Sequence, residues 1–376
     1  MKKNNQTKLN ISQEFDKKYY YNAFNFLNVN SLFKAQLFEY FDYDIKRTWQ
    51  ADEQDLILFS EDTFNPVPRD FLSKKAKINI KECFEKAFLD KEVKFLTYED
   101  EKYPPLLKQI PDFPLALYYK GDINSISYDF NLAVVGSRQA STPAKLALNN
   151  IISSFKNSNI TIVSGLAYGI DAQAHKSAIE NNIKTIAVIG SGLDFTYPVQ
   201  NKSLYEQIIN GAGVIFSEYP LGIRPVAYNF PQRNRIVVGM SKGTLVAEAQ
   251  LKSGAMISAN LTLDYNRELM CIPGNVLNPN TQGIYHLIKN GAGIVVQAQD
   301  ILSQMNWDVL IEEENEKNYE LNDIQKKVLD IISIEAKSFD EIINLAQEDV
   351  SLLMVALTEL EIKGIIVQRE NKYHKC

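Results

Sequence analysis

The chain has 376 residues, 45% of them hydrophobic, which is enough to form the cores of two or three domains. Its formal net charge at pH 7 is −6, which argues against a protein coated in basic surface. Cys83, Cys271 and Cys376 are far apart in the sequence, which argues against a disulfide framework or a paired-cysteine metal site, and we expect neither a metal nor a cofactor.

Residues 1–95 predict a small helical domain, similar to SAM and helix-hairpin-helix domains. The segments YYYNAFNFLNVNSLFKAQLFEYF and KAKINIKECFEKAFLDK space their apolar residues as helices do. A proline-rich connection, KFLTYEDEKYPPLLKQIPDFPLALYYKGD, follows them. Because the N-terminus is polar and no apolar stretch approaches about 20 residues, we expect no membrane span and a cytoplasmic protein.

Residues 96–310 predict a Rossmann-like α/β domain with a mostly parallel sheet. Short runs of Val, Ile and Leu recur, most of them followed by turn residues and a helix-length segment, as in a parallel sheet covered on both faces. The runs are LAVVG, ITIVSG, TIAVIGSG, GVIFSE, GTLVAE, ELMCIPG and AGIVVQ. Ligands of such sheets bind at the carboxyl ends of the strands, so the residues directly after each run are candidates for a site.

The C-terminal region predicts an acidic linker and a winged helix. The linker spans residues 311–319 and contains EEENEK. Residues 320–376 contain three helical segments, LNDIQKKVLDIIS, SFDEIINLA and DVSLLMVALTELEIKG, and a hairpin, IIVQRENKYHK. The third helix carries Asp349, Glu359 and Glu361 against Lys363, so we expect it to face a protein rather than the phosphates of duplex DNA.

Positive charge is concentrated in the middle of the chain. Residues 130–300 contain 13 Lys and Arg against 9 Asp and Glu, whereas residues 301–376 contain 8 against 16. A polyanionic ligand is therefore expected to meet the α/β domain.

Glycine and serine follow three of the predicted strands. Gly136, Ser137 and Arg138 form a turn suited to phosphate, although a plain strand-to-helix turn with a solvent-facing arginine fits equally well. Ser164 and Gly165 follow the second run, and a GSG sequence follows the third. Asp171 and His175 are four residues apart after the second run, but no third ligand accompanies them, which favours a structural pair.

A fourth predicted strand end is followed by NFPQRNRIVVG. Arg233 and Arg235 diverge from a helix that Pro231 would begin, and Phe230 offers a ring on which a base can stack. In the alternative interpretation Phe230 belongs to the core and the arginines pair with acidic residues, Glu218 and Glu248. We expect Arg233 to contact DNA, and both interpretations stay open for Arg235.

Together these motifs closely resemble the DNA-processing protein A (DprA/Smf) family. The matching segments are VVGSRQAS, SGLAYGIDAQAH, TIAVIGSGLDFTYPVQNKSL, FSEYPLG, FPQRNRIVVGMSKGTLVAEAQLKSGAMISA, CIPGNV and GIYHLIKNGA. The resemblance covers Tyr103 to Leu302, and LTELEIKGIIVQRENKYHK resembles the family's winged-helix tail. It implies a homodimer without catalytic chemistry that binds single-stranded DNA and loads the RecA recombinase onto incoming DNA during natural transformation.

The resemblance also implies a set of site residues. Val199 stands where family members often have a basic residue, and Lys202 is the candidate to replace it. The segment GIYHLIKNGAGIVV corresponds to the family's dimerisation region, although an ordinary helix-to-strand core is the alternative. The DNA-binding residues implied are Gly136, Ser137, Arg138, Ser164, Gly165, Gly192, Lys202, Phe230, Arg233, Asn234 and Arg235, and the dimer contacts are Tyr285, Leu287 and Ile288.

Two enzyme classes are the alternatives to a DNA-binding function. Phosphoribohydrolases that resemble lysine decarboxylases carry a PGGxGTxxE signature, and this chain has GMSKGTLVAEAQLKSG in the comparable position, which retains Gly-Thr and Glu248 but lacks Pro-Gly-Gly. A nicotinamide-dependent dehydrogenase is less compatible, because no GxGxxG follows the first run.

Overall fold

The computed structural model describes residues 17–309, 321–333, 335–362, 365–369 and 371–375. The chain divides into two compact units, Met1–Glu312 and Glu313–Cys376. The acidic linker predicted at residues 311–319 lies outside the described residues.

Six helices in the described part of the chain precede the first strand. Asp44 and Asp52 begin two of them by accepting hydrogen bonds from N–H groups of the first turn, at 2.9 Å from Lys46 and 3.0 Å from Asp55. Phe24 of these helices belongs to the same hydrophobic core as residues of the sheet. The helices are α1 (residues 17–26), α2 (Ser31–Tyr40), α3 (Ile45–Gln50), α4 (Glu53–Thr63), α5 (Phe71–Ala76) and α6 (Ile80–Ala87).

The described residues of the first unit form a nine-stranded sheet in the order β1-β2-β6-β5-β4-β3-β7-β8-β9. All seven apolar runs become strands, β3 to β9, and they pair in parallel, which confirms the predicted fold class. The proline-rich connection contains β1 and β2, which the sequence analysis did not predict; β2 pairs antiparallel with β6, and β1 pairs antiparallel with β2. The strands are β1 (Lys94–Thr97), β2 (Ala116–Gly121), β3 (Asn131–Val135), β4 (Thr161–Ser164), β5 (Lys184–Ile189), β6 (Gly213–Ser217), β7 (Gly243–Val246), β8 (Glu268–Cys271) and β9 (Gly293–Ile294).

Helices cover both faces of the sheet. Leu132 and Val134 of β3 face a core that includes side chains of α7, α8 and α13, whereas Ala133 and Val135 face the core shared with the N-terminal helices. No helix in the described ranges is long and apolar enough to cross a membrane. The helices are α7 (Thr142–Ser153), α8 (Ile170–Glu180), α9 (Lys202–Gln207), α10 (Asn229–Gly239), α11 (Gly254–Asp264), α12 (Gln282–Lys289) and α13 (Ala298–Met305).

The strand order reverses direction between β3 and β7. From β3 the chain proceeds through β4, β5 and β6 on one side, then returns to β7 on the other side and proceeds through β8 and β9. The loops that follow β3 and β7 therefore diverge and leave a crevice at the carboxyl ends of these strands. The candidate nucleic-acid site lies at this topological switch point.

The second unit has its own hydrophobic core and the predicted winged-helix elements. Val328, Leu353 and Leu360 are among its buried residues. A three-stranded sheet has the order β10-β12-β11 and includes the expected hairpin. The elements are α14 (Asp323–Ile332), β10 (Lys337–Ser338), α15 (Phe339–Ala346), α16 (Val350–Ile362), β11 (Ile366–Arg369) and β12 (Lys372–Lys375).

Candidate nucleic-acid interface

A cleft of about 740 Å³ lies at the switch point, and we call it the first cleft. Its lining comes from the loop after β3, the loop after β4, the segment before α10 with its first turns, and the start of α11. Of the residues predicted from the sequence, it brings together Gly136, Ser137, Arg138, Phe230, Arg233 and Asn234. Ser164, Gly165, Gly192, Lys202 and Arg235 are not part of its lining.

The loop after β3 is held in place by β7. The backbone N–H of Ser137 donates to the carbonyl oxygen of Glu248 at 2.8 Å. Ser141 begins α7 by accepting from the N–H of Ala144 at 3.3 Å, and its Oγ donates to Oε2 of Glu248 at 2.5 Å. The backbone on both sides of Arg138 is therefore fixed, while its side chain is exposed.

Arg138 lies over an aromatic ring. Its Cζ is 5.2 Å from the ring centre of Phe230, within the range of a cation–π interaction. The ring of Tyr197 lies 5.4 Å from that of Phe230 at 35°. Arg138 forms no ion pair with any described residue, so its positive charge is available to a ligand.

Arg233 is 3% exposed and lines the first cleft, and its expected contact with DNA stays a prediction. Its Nη1 donates to the carbonyl oxygens of Gly165 and Val188. Burial lowers its pKa to about 10, against the opposing effect of the Asp171 carboxylate, so the guanidinium stays charged at neutral pH. Arg233 holds the ends of β4 and β5 together beneath the first cleft and adds a buried positive charge there.

Ser164 and Gly165 also support the site from below. The Oγ of Ser164 is buried and donates to the carbonyl oxygen of Val134 at 2.6 Å, so it joins the ends of β3 and β4. A Cβ at Gly165 would lie 2.5 Å from Cζ of Arg233 and 2.5 Å from Oδ2 of Asp171, so a side chain at this position would displace one of these groups.

Asp171 and His175 have separate structural roles. The Oδ2 of Asp171 accepts from the N–H of Ala167 at 3.4 Å, and burial raises its pKa in spite of the nearby Arg233. Nδ1 of His175 lies 2.7 Å from Oγ1 of Thr185. Burial and, to a lesser extent, Arg233 lower the pKa of His175 to about 3, so the imidazole is neutral. Groups of three or more metal-binding side chains suited to an ion are not found among the described residues.

The ion-pair interpretation named Glu218 and Glu248 as partners of the arginines, and Arg235 pairs with Glu218. Its side chain is 2% exposed, and Nη2 lies 2.5 Å from Oε2 of Glu218. The same nitrogen donates to Oγ of Ser31 at 2.9 Å, and Nε lies 3.6 Å from Oδ2 of Asp112. Arg235 therefore joins α10 to α2, and its burial favours the ion-pair interpretation over a contact with DNA.

Two further predicted residues lie outside the first cleft. Gly192 is buried, and its N–H donates to the carbonyl oxygen of Ile223 at 2.8 Å, so it holds the loop after β6. Lys202 is exposed at the start of α9, with Nζ 3.8 Å from Oε1 of Glu206. Neither lines the first cleft with Arg138.

Two family models match this chain. Residues 94–306 match the model described as DNA recombination-mediator protein A, and residues 312–372 match the DprA winged helix domain. The chain belongs to the DprA/Smf family. Protein Smf of Escherichia coli is 36% identical over 275 residues, which cover 71% of this chain and 73% of that protein. DNA processing protein DprA of Streptococcus pneumoniae is 41% identical over 208 residues, which cover 55% and 73%.

Solved structures of two DprA proteins are similar to this one. The Streptococcus pneumoniae structure has a TM-score of 0.62 at 33% identity and covers 73% of this chain and 95% of its own. The Helicobacter pylori structure has a TM-score of 0.51 at 29% identity and covers 57% of this chain and 97% of its own. The latter was described for the unique single-stranded DNA binding mode of that protein.

The residues after β7 complete the first cleft in this DprA/Smf protein, although none of them was predicted as a site residue. Gln250, Ser253 and Gly254 line it together with the first turn of α11. The first N–H groups of a helix lack intrahelical partners and carry partial positive charge, so they favour an anion. The signal was present in the sequence, since SGA follows the predicted strand GTLVAE by a few residues.

The expected dimer contacts lie on α12 of the DprA/Smf chain. Leu287 is 4% exposed and belongs to the hydrophobic core of its own chain, which favours the core alternative for this residue. Ile288 packs partly against that core, and Tyr285 is half-buried with its hydroxyl donating to the carbonyl oxygen of Gly274. These two residues retain some surface.

Glu248, the residue that the rival phosphoribohydrolase interpretation requires, is fully buried. Its carboxylate accepts from the Ser141 hydroxyl and backbone N–H, and it does not line the first cleft. In this DprA/Smf protein the glutamate holds a loop.

Proposed function

We propose that this chain is a recombination mediator that binds single-stranded DNA in the first cleft. The observation that carries the proposal is the stack of Arg138 on Phe230, with Tyr197 beside it, at the switch point of the sheet. Membership in the family, and the single-stranded DNA binding described for the Helicobacter pylori relative, support it.

The chemistry of the first cleft suits a single strand of any sequence. Arg138 and the N–H groups at the start of α11 offer positive charge to phosphates, and the buried guanidinium of Arg233 adds to the local potential. Aromatic rings such as Phe230 stack on every base, and each stacked base contributes about 1–3 kcal/mol. The mechanism is therefore binding and orientation of a strand, and it contains no chemical step.

Fluorescence anisotropy of a labelled (dT)20 strand tests the proposal. We expect binding at low salt that weakens steeply as the salt concentration rises, because bound phosphates release counterions. A protein that is folded by circular dichroism and does not bind the strand at low salt would contradict the proposed function.

We further propose that the bound strand is delivered to the RecA recombinase in the cytoplasm, on DNA taken up during natural transformation. The description of the matching family as a recombination mediator motivates this step. On a strand precoated with single-strand-binding protein, this chain is expected to shorten the lag of RecA-catalysed ATP hydrolysis. A lag that is unchanged at saturating concentrations would exclude RecA loading.

The proposal includes a homodimer. Tyr285 and Ile288 on α12 are the residues from the family's dimerisation region that retain surface. Sedimentation equilibrium is expected to give twice the mass of the chain, and Ile288→Glu is expected to shift the equilibrium toward monomer. A monomeric wild-type protein at micromolar concentration would refute the dimer without affecting DNA binding.

A further inference from the structure

A second cavity, of about 770 Å³, lies between the N-terminal helices and the segment that leads into α10. We call it the second cavity. Its lining includes residues 25–31 and Lys34 on one side and residues from Glu218 to Gln232 on the other. None of the sequence motifs accounts for it, and the function proposed above does not use it.

The segment of residues 224–228, which ends in a turn before α10, lies between the second cavity and the first cleft. Pro225 and Ala227 line the first cleft, whereas Arg224, Val226 and Tyr228 line the second cavity. Neighbouring residues of this one stretch of backbone therefore face different spaces, and the stretch forms part of the wall between them. A strand bound in the first cleft therefore passes close to the mouth of the second cavity.

Lys34 is a buried cation in the lining of the second cavity with unused hydrogen-bond donors. It is 8% exposed, and its Nζ donates to the carbonyl oxygen of Phe24 at 2.7 Å. An ammonium group has three N–H donors, and no second acceptor for them is found among the described residues. The nearby carboxylate of Glu218 pairs with Arg235 instead.

Burial without further hydrogen-bond acceptors disfavours the charged form of Lys34. Burial lowers its pKa to about 8, and the Glu218 carboxylate opposes this effect while Arg235 adds to it. A ligand that brings hydrogen-bond acceptors would satisfy the donors of the ammonium group and stabilise its charge.

The remaining lining suits a planar, uncharged group better than a phosphate. The carboxylates of Glu218 and Asp70 line the second cavity, and their negative charge disfavours an anionic ligand there. Lys74 is already paired with Asp70 at 2.8 Å. Amide and aromatic side chains make up much of the rest: Asn25, Asn28, Gln232, Phe26, Tyr219 and Tyr228.

We propose that the second cavity receives one nucleobase of the DNA strand whose phosphates lie on Arg138, an inference that rests on the proposed function. Carbonyl oxygens on the base edge accept hydrogen bonds from Lys34, and the ring stacks on the tyrosines. Arg224, which is exposed at the mouth and forms no ion pair with a described residue, contacts the phosphate that stays outside.

Photocrosslinking of the full chain to (dT)20 that contains 4-thiothymidine tests this placement. Tandem mass spectrometry is expected to find adducts both on Tyr197 or Phe230 of the first cleft and on Tyr219 or Tyr228 of the second cavity. Adducts confined to the first cleft would overturn the inference and leave the proposed function intact. A strand that does not bind at all would overturn both.

Variants separate the second cavity from general binding. Tyr228 is 69% exposed, so Tyr228→Ala is expected to preserve the fold and to weaken (dT)20 binding by about fivefold or more. Phe64→Ala is the matched control, because Phe64 is an exposed aromatic residue outside both spaces, and it is expected to bind normally. Lys34→Met is expected to reduce the Tyr219 adducts. If Tyr228→Ala binds (dT)20 with unchanged affinity and forms unchanged Tyr219 adducts, the inference is overturned, even where Lys34→Met does not fold.

A free nucleotide is the other source of the same base chemistry. Thymidine monophosphate at millimolar concentration is expected to leave the reactivity of Lys34 toward an amine-specific acylating reagent unchanged, whereas (dT)20 protects it. Protection by the mononucleotide and none by the strand would show a free-nucleotide site and overturn the inference.

Discussion

The Oγ of Ser141 donates a 2.5 Å hydrogen bond to Oε2 of Glu248, and this contact joins the loop after β3 to the end of β7. The backbone carbonyl of Glu248 also accepts from the N–H of Ser137. Arg138 lies between the two serines. A residue that does not line the first cleft therefore fixes the backbone of the arginine that does.

Replacement of Glu248 is expected to weaken DNA binding without removing a DNA contact. Glu248→Ala leaves the half-buried N–H and hydroxyl of Ser141 without their acceptor, at a cost of about 1 kcal/mol or more in the free energy of unfolding. It also frees the loop that carries Arg138. Urea unfolding and anisotropy of labelled (dT)20 measure the two effects, and Glu248→Gln, which retains one acceptor oxygen, is expected to lie between wild type and Glu248→Ala.

Glu248→Ala also distinguishes the proposed DNA-binding function from the rival phosphoribohydrolase activity. If nucleotide hydrolysis co-purified with the wild-type protein through rigorous purification and disappeared in Glu248→Ala, the phosphoribohydrolase interpretation would be favoured. Full DNA affinity and full stability in Glu248→Ala would show that the loop does not depend on this residue.

Arg138→Ala is expected to remove one phosphate contact. For single strands, each contact contributes about −0.7 to the slope of the logarithm of the binding constant against the logarithm of salt concentration, so the slope should become shallower by about that amount. Arg47→Ala is the matched control, since Cζ of Arg47 also lies over a ring, 5.3 Å from the centre of Phe41, but outside the first cleft. Equal effects of the two substitutions would place the DNA elsewhere.

Arg235→Met is expected to affect stability rather than DNA contacts. It leaves the carboxylate of Glu218, which is 11% exposed, without its guanidinium partner, which costs up to about 3–5 kcal/mol in the free energy of unfolding. Lys202→Met, at an exposed pair with Glu206, should cost about 1 kcal/mol or less. Both variants should retain (dT)20 binding when folded; a specific loss in Lys202→Met would return Lys202 to the DNA site.

The parallel strands could be predicted from the sequence because they are buried on both faces. Continuous runs such as LAVVG carry that signal in consecutive residues, and each run became a strand. The antiparallel strands β1 and β2 were missed because KFLT and ALYYKG are short and flank a proline-rich loop. Their strand character depends on pairing with each other and with β6, which lies about a hundred residues further along the chain.

The exposed part of the site was predictable and the buried part was not. Arg138 and Phe230 follow the rule that ligands bind at the carboxyl ends of strands, and the structure brings them together. The spacing of Arg233 and Arg235 does not reveal their burial, because their partners come from distant segments. Gly165 and Val188 hold Arg233, and Glu218 with other elements holds Arg235.

The buried, neutral His175 is expected to make the protein less stable in acid. Its pKa is lowered from 6.5 to about 3, so between these values the unfolded chain binds a proton that the folded chain does not. Because of this residue, the free energy of unfolding therefore falls by about 1.4 kcal/mol for each pH unit below 6.5.

The raised pKa of Asp171 acts in the opposite direction, so the wild-type protein must be compared with His175→Gln, which removes the imidazole alone. Urea unfolding between pH 4 and 7 should give a shallower acid slope in His175→Gln and an unchanged slope in the exposed control His286→Gln; equal slopes in all three proteins would mean that His175 binds its proton in the folded state.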